Sequence, residues 1–179
     1  SLGANYSESN AFGTGNNISL GINSSDYQTN VQFNFFDPYC TIDGIGLGYG
    51  AYYSSSDYSA FNASAYSTDS FGLSSNLVLP IDEIKQLGLS IALDQTKLKT
   101  DIFSSQQLID YVNTEGDTQD SITLGASWTR NTLNRGLFPT LGTLNQISSN
   151  IAVPPSDVTY GKIKYNFKYY RPIFFNLIF

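Results

Sequence analysis

Residue type alone removes most covalent and metal chemistry. The 179 residues include no His, which excludes a Ser-His or Cys-His catalytic pair and a His-bearing zinc site. One Cys, Cys40, excludes an internal disulfide and a multi-thiolate metal centre. Two groups of charged side chains remain. Asp101, Asp110, Glu115, Asp117 and Asp120 gather in one polar stretch whose carboxylate oxygens suit Ca²⁺. A solvated surface loop explains them more plainly, so no catalytic residue, metal or cofactor is assigned. Lys162, Lys164 and Lys168 occupy even positions of one segment, so a strand sets all three on one face. Solvation is the plain account of that basic stripe, and ion pairing with a plug loop or an anionic segment is the sharper one.

The elements that hold these groups follow from composition and period. Charged residues are 13% of the chain, about half the share of a soluble domain, while aromatic residues reach 15%. A net charge of −6 argues against nucleic-acid binding. No apolar run approaches the ~20 residues of a membrane helix, so any membrane must be crossed by strands. The sequence opens at Ser1 without an initiator Met or signal peptide and stops at Phe179 inside an apolar stretch. A piece of a larger protein is expected.

Alternation at period two dominates. Tyr27–Phe36 sets Val31, Phe33 and Phe35 against Gln28, Asn30, Gln32 and Asn34. Gly44–Tyr53 sets Ile45, Leu47, Tyr49, Ala51 and Tyr53 against Gly44, Gly46, Gly48 and Gly50. Gly161–Tyr170 sets Ile163, Tyr165, Phe167 and Tyr169 against the lysines and Asn166. Weaker copies cover Asn17–Asn23, Ser70–Ile81, Gln86–Asp94, Ser121–Trp128 and Thr143–Pro154. With Ser1–Glu8 this predicts about nine strands and no helix. In a soluble sandwich the second face would be charged, whereas here it is Asn, Gln, Ser, Thr and Gly. That inversion favours an antiparallel up-and-down transmembrane β-barrel, apolar face to lipid, over a secreted β-sandwich or solenoid. Tyr27, Phe36, Tyr52, Tyr53, Tyr169 and Tyr170, near strand ends, suit two interfacial girdles.

The connections fall into two interleaved sets, one at each end of such a barrel. The first comprises Ser9–Asn16, Asp37–Gly44, Pro80–Gln86 and Asn134–Gly142. The second comprises Ser24–Asp26, Ser54–Tyr66, Lys97–Gln119 and Pro154–Asp157. The second holds the two longest loops, which places it outside the cell. In Asp37–Gly44, Pro38 interrupts the ladder and Asp43-Gly44 supplies a positive-φ restart. In Asn134–Gly142, Pro139 presets one turn position and Gly142 frees the restart, while Arg135 is available to a carboxylate.

Three stretches then carry a resemblance. They are Gly13–Gly44, which contains GTG (Gly13, Thr14, Gly15) and DPYCTIDG (Asp37, Pro38, Tyr39, Asp43, Gly44); Ile45–Tyr53; and Ser127–Pro172, which contains NRGLFPTLG (Arg135, Gly136, Phe138, Pro139, Thr140, Gly142). Together they resemble the N-terminal half of the barrel in the BamA family of outer-membrane protein assembly factors, the bacterial surface antigen family. The resemblance implies that 1–172 is a partial barrel, the second to tenth of sixteen strands. The POTRA domains and the C-terminal half of the barrel would then be absent. The tail 173–179 has no counterpart, and Cys40 and Leu141 depart from the family's usual residues. The implied function is assembly and insertion of β-barrel proteins into the bacterial outer membrane, without enzymatic chemistry. Implied partners are the lipid bilayer, client β-barrel proteins and lipoprotein subunits of an assembly complex. A related polypeptide-transporting barrel, of the translocation-and-assembly or two-partner secretion type, and a complete small pore or adhesin are the alternatives.

Overall fold

The structure, a computed structural model, describes residues 1–58, 66–100, 103–174 and 177–178. Nine strands build one sheet: β1 (Leu2–Ala11), β2 (Asn16–Ser24), β3 (Gln28–Asp37), β4 (Gly46–Asp57), β5 (Tyr66–Asp82), β6 (Lys85–Thr100), β7 (Thr118–Asn131), β8 (Gly142–Val153) and β9 (Gly161–Tyr170). Each pairs antiparallel with its chain neighbour, in the order β1 to β9. Among the described residues β1 and β9 do not pair with each other, so the sheet is open. That observation sets aside a closed nine-stranded pore. Among the described residues no second layer covers the sheet and the only buried apolar side chains are those of Ala11 and Ala152, which sets aside the sandwich. No described helix is long and apolar enough to cross a membrane.

Two expectations need correction. Against the expectation of no helix, α1 (Gln106–Glu115) forms inside the Lys97–Gln119 connection. Leu108, Ile109 and Val112 fall at helical rather than strand spacing, and the Gln106 side chain donates to Asp110 Oδ1 at 2.8 Å across one turn. Strands β5, β6 and β7 also run further than expected, because their polar ends keep the backbone ladder after the apolar alternation stops. Tyr66 still pairs with Thr100 and Lys97 with Thr118. Of the expected Ser54–Tyr66 loop, residues 59–65 lie outside the described residues, as does Asp101. Beyond the main sheet, β10 (Pro172–Phe174) and β11 (Leu177–Ile178) form a separate two-stranded sheet within the tail that had no sequence counterpart.

Candidate functional site

The site is the sheet itself, and its two faces must be built separately. Directly opposed residues share a face, so the register carries one apolar surface across all nine strands. It runs through Tyr6, Leu20, Phe33, Ala51, Leu73, Leu93, Ile122 and Val153, each opposite the next. On β9 it continues with Ile163, Tyr165, Phe167 and Tyr169. These side chains have no protein partner layer: Leu93 is 46% exposed and Ile163 75%. Water would penalise such a surface by roughly 25 cal/mol per Å² of apolar area, whereas lipid removes the penalty.

Charge bounds the belt at both ends. On β6 the outward series is Lys85, then Leu87, Leu89, Ile91 and Leu93, then Gln95 and Lys97. On β7 it is Asp120, then Ile122, Leu124, Ala126 and Trp128, then Arg130. Lys85 pairs with Arg130, and Gln95 donates to Asp120 Oδ1 at 2.8 Å. From Lys85 to Gln95 is ~33 Å of strand, or ~25 Å of height at a tilt near 40°, the thickness of an outer-membrane belt. The belt narrows towards β2, where outward Ile18, Leu20 and Ile22 lie between Asn16 and Ser24, and Glu8 of β1 faces outward opposite Ile18. The strands shorten in the same direction, from 17 residues in β5 through 12 in β4 and 10 in β3 to 9 in β2.

The other face is polar, tightly filled and rich in glycine. A Cβ built on Gly48 would meet Asn76 Oδ1 at 2.3 Å, and one on Gly125 would meet Ser90 Oγ at 2.2 Å. Side chains that converge across neighbouring strands mark this as the concave, inner face. Here the structure corrects the girdle assignment. Tyr53 and Tyr169 do face outward, but Phe36, Tyr52 and Tyr170 lie on the inner face, opposite Gly48, Gly72 and Gly142. Consecutive residues of a strand take opposite faces, so Tyr52-Tyr53 cannot both reach lipid. Phe36 packs at Gly46, and Tyr52 reaches across Gly72 to donate its hydroxyl to Asp94 Oδ1 at 2.7 Å. An aromatic ring over a glycine shields exposed backbone and locks the register. The sequence signal for this was present, an aromatic out of phase beside a run of glycines, but its partner strand was not.

That arrangement makes Gly72→Ala costly. The added methyl would lie 2.2 Å from Tyr52 Cε1 and 2.5 Å from Asp94 Oδ1. A loss of about 1–3 kcal/mol is expected on urea unfolding in lipid vesicles, most of it recovered when Tyr52→Ala is added. Equal losses in the single and double variants would show that the ring does not cover Gly72.

The three motif turns lie at the same end of the sheet and are held by side-chain hydrogen bonds. In the first, Gly15 N–H donates to Asn10 Oδ1 at 2.7 Å and Thr14 Oγ1 to the Ala11 carbonyl at 2.7 Å. In the second, β3 stops at Asp37, whose carboxylate accepts from Tyr39 N–H at 2.9 Å, and Gly44 takes φ 76° as expected. Ile45 falls outside the ladder, so the outward face assigned to it is not set by register. In the third, the Asn134 amide accepts from Thr140 and Leu141 N–H and donates to Thr140 Oγ1. Arg135 is exposed, with no ion pair among the described residues.

At the opposite end the acidic residues are dispersed rather than gathered. Asp110 and Glu115 lie on α1, Asp117 pairs with Lys97 at 3.1 Å, and Asp120 accepts from Gln95. No three come together among the described residues. The Lys97 hydrogen bond holds Asp117 below the usual carboxylate range. The pair's contribution is therefore complete above that range and lost as pH falls through the lowered value. Lys162, Lys164 and Lys168 do share one face of β9, the inner one, opposite Asn150, Ser148 and Leu144.

Comparison with known proteins agrees with this geometry. The Omp85 superfamily domain matches residues 10–179. The outer membrane protein assembly factor BamA of Neisseria meningitidis serogroup B is 27% identical over 182 residues, covering 96% of this chain and 23% of the relative. The crystal structure of BamA from Haemophilus ducreyi lacking POTRA domains 1-3 superposes with a TM-score of 0.72 at 29% identity, covering 96% of this chain and 37% of that one. This chain thus spans about a quarter of the length of the curated relative. A nine-stranded open sheet with lipid-suited and water-suited faces, matched almost end to end by these relatives, belongs to the Omp85 superfamily of outer-membrane β-barrels.

Proposed function

We propose that this chain forms part of the wall of a barrel that assembles and inserts other β-barrel proteins into the outer membrane. The observation that carries the reading is the narrowing of the outward apolar belt from β6, where Leu87, Leu89, Ile91 and Leu93 form it, to β2, where Ile18, Leu20 and Ile22 do. A belt shorter than the hydrocarbon thickness thins the bilayer beside it, at a fraction of a kcal/mol per Å of mismatch. Thinned lipid lowers the barrier to strand insertion where client strands add by backbone pairing, a mode that tolerates many sequences. Client barrel proteins and lipoprotein subunits are the partners this reading calls for. The long-loop end, which holds α1, faces the exterior, and the end with the motif turns faces the periplasm.

The test uses full-length protein carrying these residues, reconstituted in liposomes with an unfolded client barrel. Heat-modifiable gel mobility should show client folding about tenfold faster than in empty liposomes. Glu8→Leu, which lengthens the belt on β1, should remove much of that gain. No acceleration, or passage of a soluble polypeptide with no client folding, would overturn the assembly reading in favour of a transporting barrel.

A further inference from the structure

The lysines of this chain divide into two sets. Lys85, Lys97 and Lys99 each sit in an ion pair, with Asp82 at 2.8 Å, Asp117 at 3.1 Å and Asp69 at 2.5 Å. Lys162, Lys164 and Lys168 have no carboxylate within ion-pair distance among the described residues. Their neighbours on the inner face of β8 are Asn150, Ser148, Gln146 and Leu144, and those on β7 are Gly125, Ser127, Thr129 and Asn131, all uncharged. Within the paired ladder, Asp94 on β6 is the one carboxylate of the inner face among the described residues. It lies three strands from β9, ~14 Å away at normal strand spacing and beyond pairing reach. It is also engaged by Tyr52.

Three like charges on one strand face repel each other and meet no carboxylate on β8 or β7, while the walls of a barrel concentrate their field. We infer that this stripe docks an extended acidic polypeptide segment inside the barrel, with carboxylates at every second residue. The occupant's shape follows from the spacing. From Lys162 to Lys168 is ~20 Å along the strand, with charges two and four residues apart. An extended chain presents same-side groups at that period, and a compact anion spans only a fraction of it. Asn150, Gln146 and Asn166 lie between and beside the lysines, where they add amide donors and acceptors for a backbone. A lipid phosphate is the poorer fit, because the lysines lie on the face opposite to the apolar belt.

The inference rests on the barrel reading, and two measurements on the full-length protein in phosphatidylcholine nanodiscs keep the two separable. In a Cys40→Ser background, a water-soluble maleimide should label Lys164→Cys and spare Ile163→Cys. The reverse pattern would overturn the face assignment, and the inference with it. The second measurement is fluorescence anisotropy of a short labelled peptide with Glu at every second position. It should bind the unaltered protein, weaken about tenfold in the Lys162→Gln, Lys164→Gln, Lys168→Gln triple variant, and stay bound in the corresponding triple Arg variant. With correct labelling, three results would each overturn the acidic-segment inference alone. They are peptide binding unchanged in the Gln variant, equal binding of a peptide with Ser in place of Glu, and displacement by inorganic phosphate at an ionic strength where chloride has no effect.

Discussion

An arginine at Ile91 should destabilise the barrel by about 2–4 kcal/mol, while one at Gln32 should be tolerated at far smaller cost. Ile91 stands at the middle of β6, on the outward face between Ser75 and Leu124, and is 44% exposed with no protein layer above it. In lipid its replacement by a guanidinium leaves a charge at the midplane, with water reachable only by deforming the bilayer. Gln32 belongs to the same sheet but to the inner face, opposite Gly21 and Tyr52. Depth should matter as much as side. Leu47 faces outward but is the second residue of β4 and pairs with Asp37, so Leu47→Arg should cost only about 0–1 kcal/mol. Urea unfolding of the full-length protein in bilayers measures all three. Equal penalties at Ile91 and Gln32 would refute the face assignment, and equal penalties at Ile91 and Leu47 would refute the belt limits.

Gly142→Ala should lower stability by about 3 kcal/mol, with the damage centred on the turn between β7 and β8. Gly142 opens β8 at φ 114°, a backbone angle that side-chain-bearing residues rarely adopt. A Cβ there would lie 2.2 Å from the Thr132 carbonyl oxygen, and backbone cannot swing aside as a long side chain can. The same contact region holds Thr132 N–H bonded to the Thr143 carbonyl at 2.8 Å and the paired hydroxyls of Thr132 and Thr143 at 2.9 Å. Pushing the strands apart would break this clasp as well. A control in the same turn is Gly136→Ala, which meets nothing within 4 Å and should be nearly neutral. If both variants unfolded at the same urea concentration, the close approach at Thr132 would not be a constraint.

Much of the fold was legible because a strand's side chains alternate strictly. Polar residues on the second face, such as Gln32, Asn34 and Ser90, were enough to indicate nine strands with an inverted sense. The motif turns were legible too, since Pro38, Gly44 and Gly142 act through their own backbone. Helix α1 was missed because Leu108, Ile109 and Val112 are few apolar residues in a polar stretch, which weakens any periodic signal. The polar ends of β5, β6 and β7 were missed because backbone hydrogen bonds continue a ladder without leaving a mark on side-chain type.

The sequence by itself determined which residues share a face within each strand, where the chain turns, and that these residues hold no His-based pair, internal disulfide or multi-thiolate metal centre. Each of these is a local property, set by alternation, by φ or by residue type. Only the tertiary structure decided which strand lies beside which and in what register. Register made Tyr52, Gly72 and Asp94 one unit from residues 42 positions apart, and turned half of the expected girdle inward. It also paired Lys97 with Asp117 and Lys99 with Asp69 while setting Lys162, Lys164 and Lys168 against neutral residues of β8. The reason is physical: whether a charge is compensated depends on groups within a few ångströms in space, and a sheet brings together residues whose separation along the chain carries no trace of that distance.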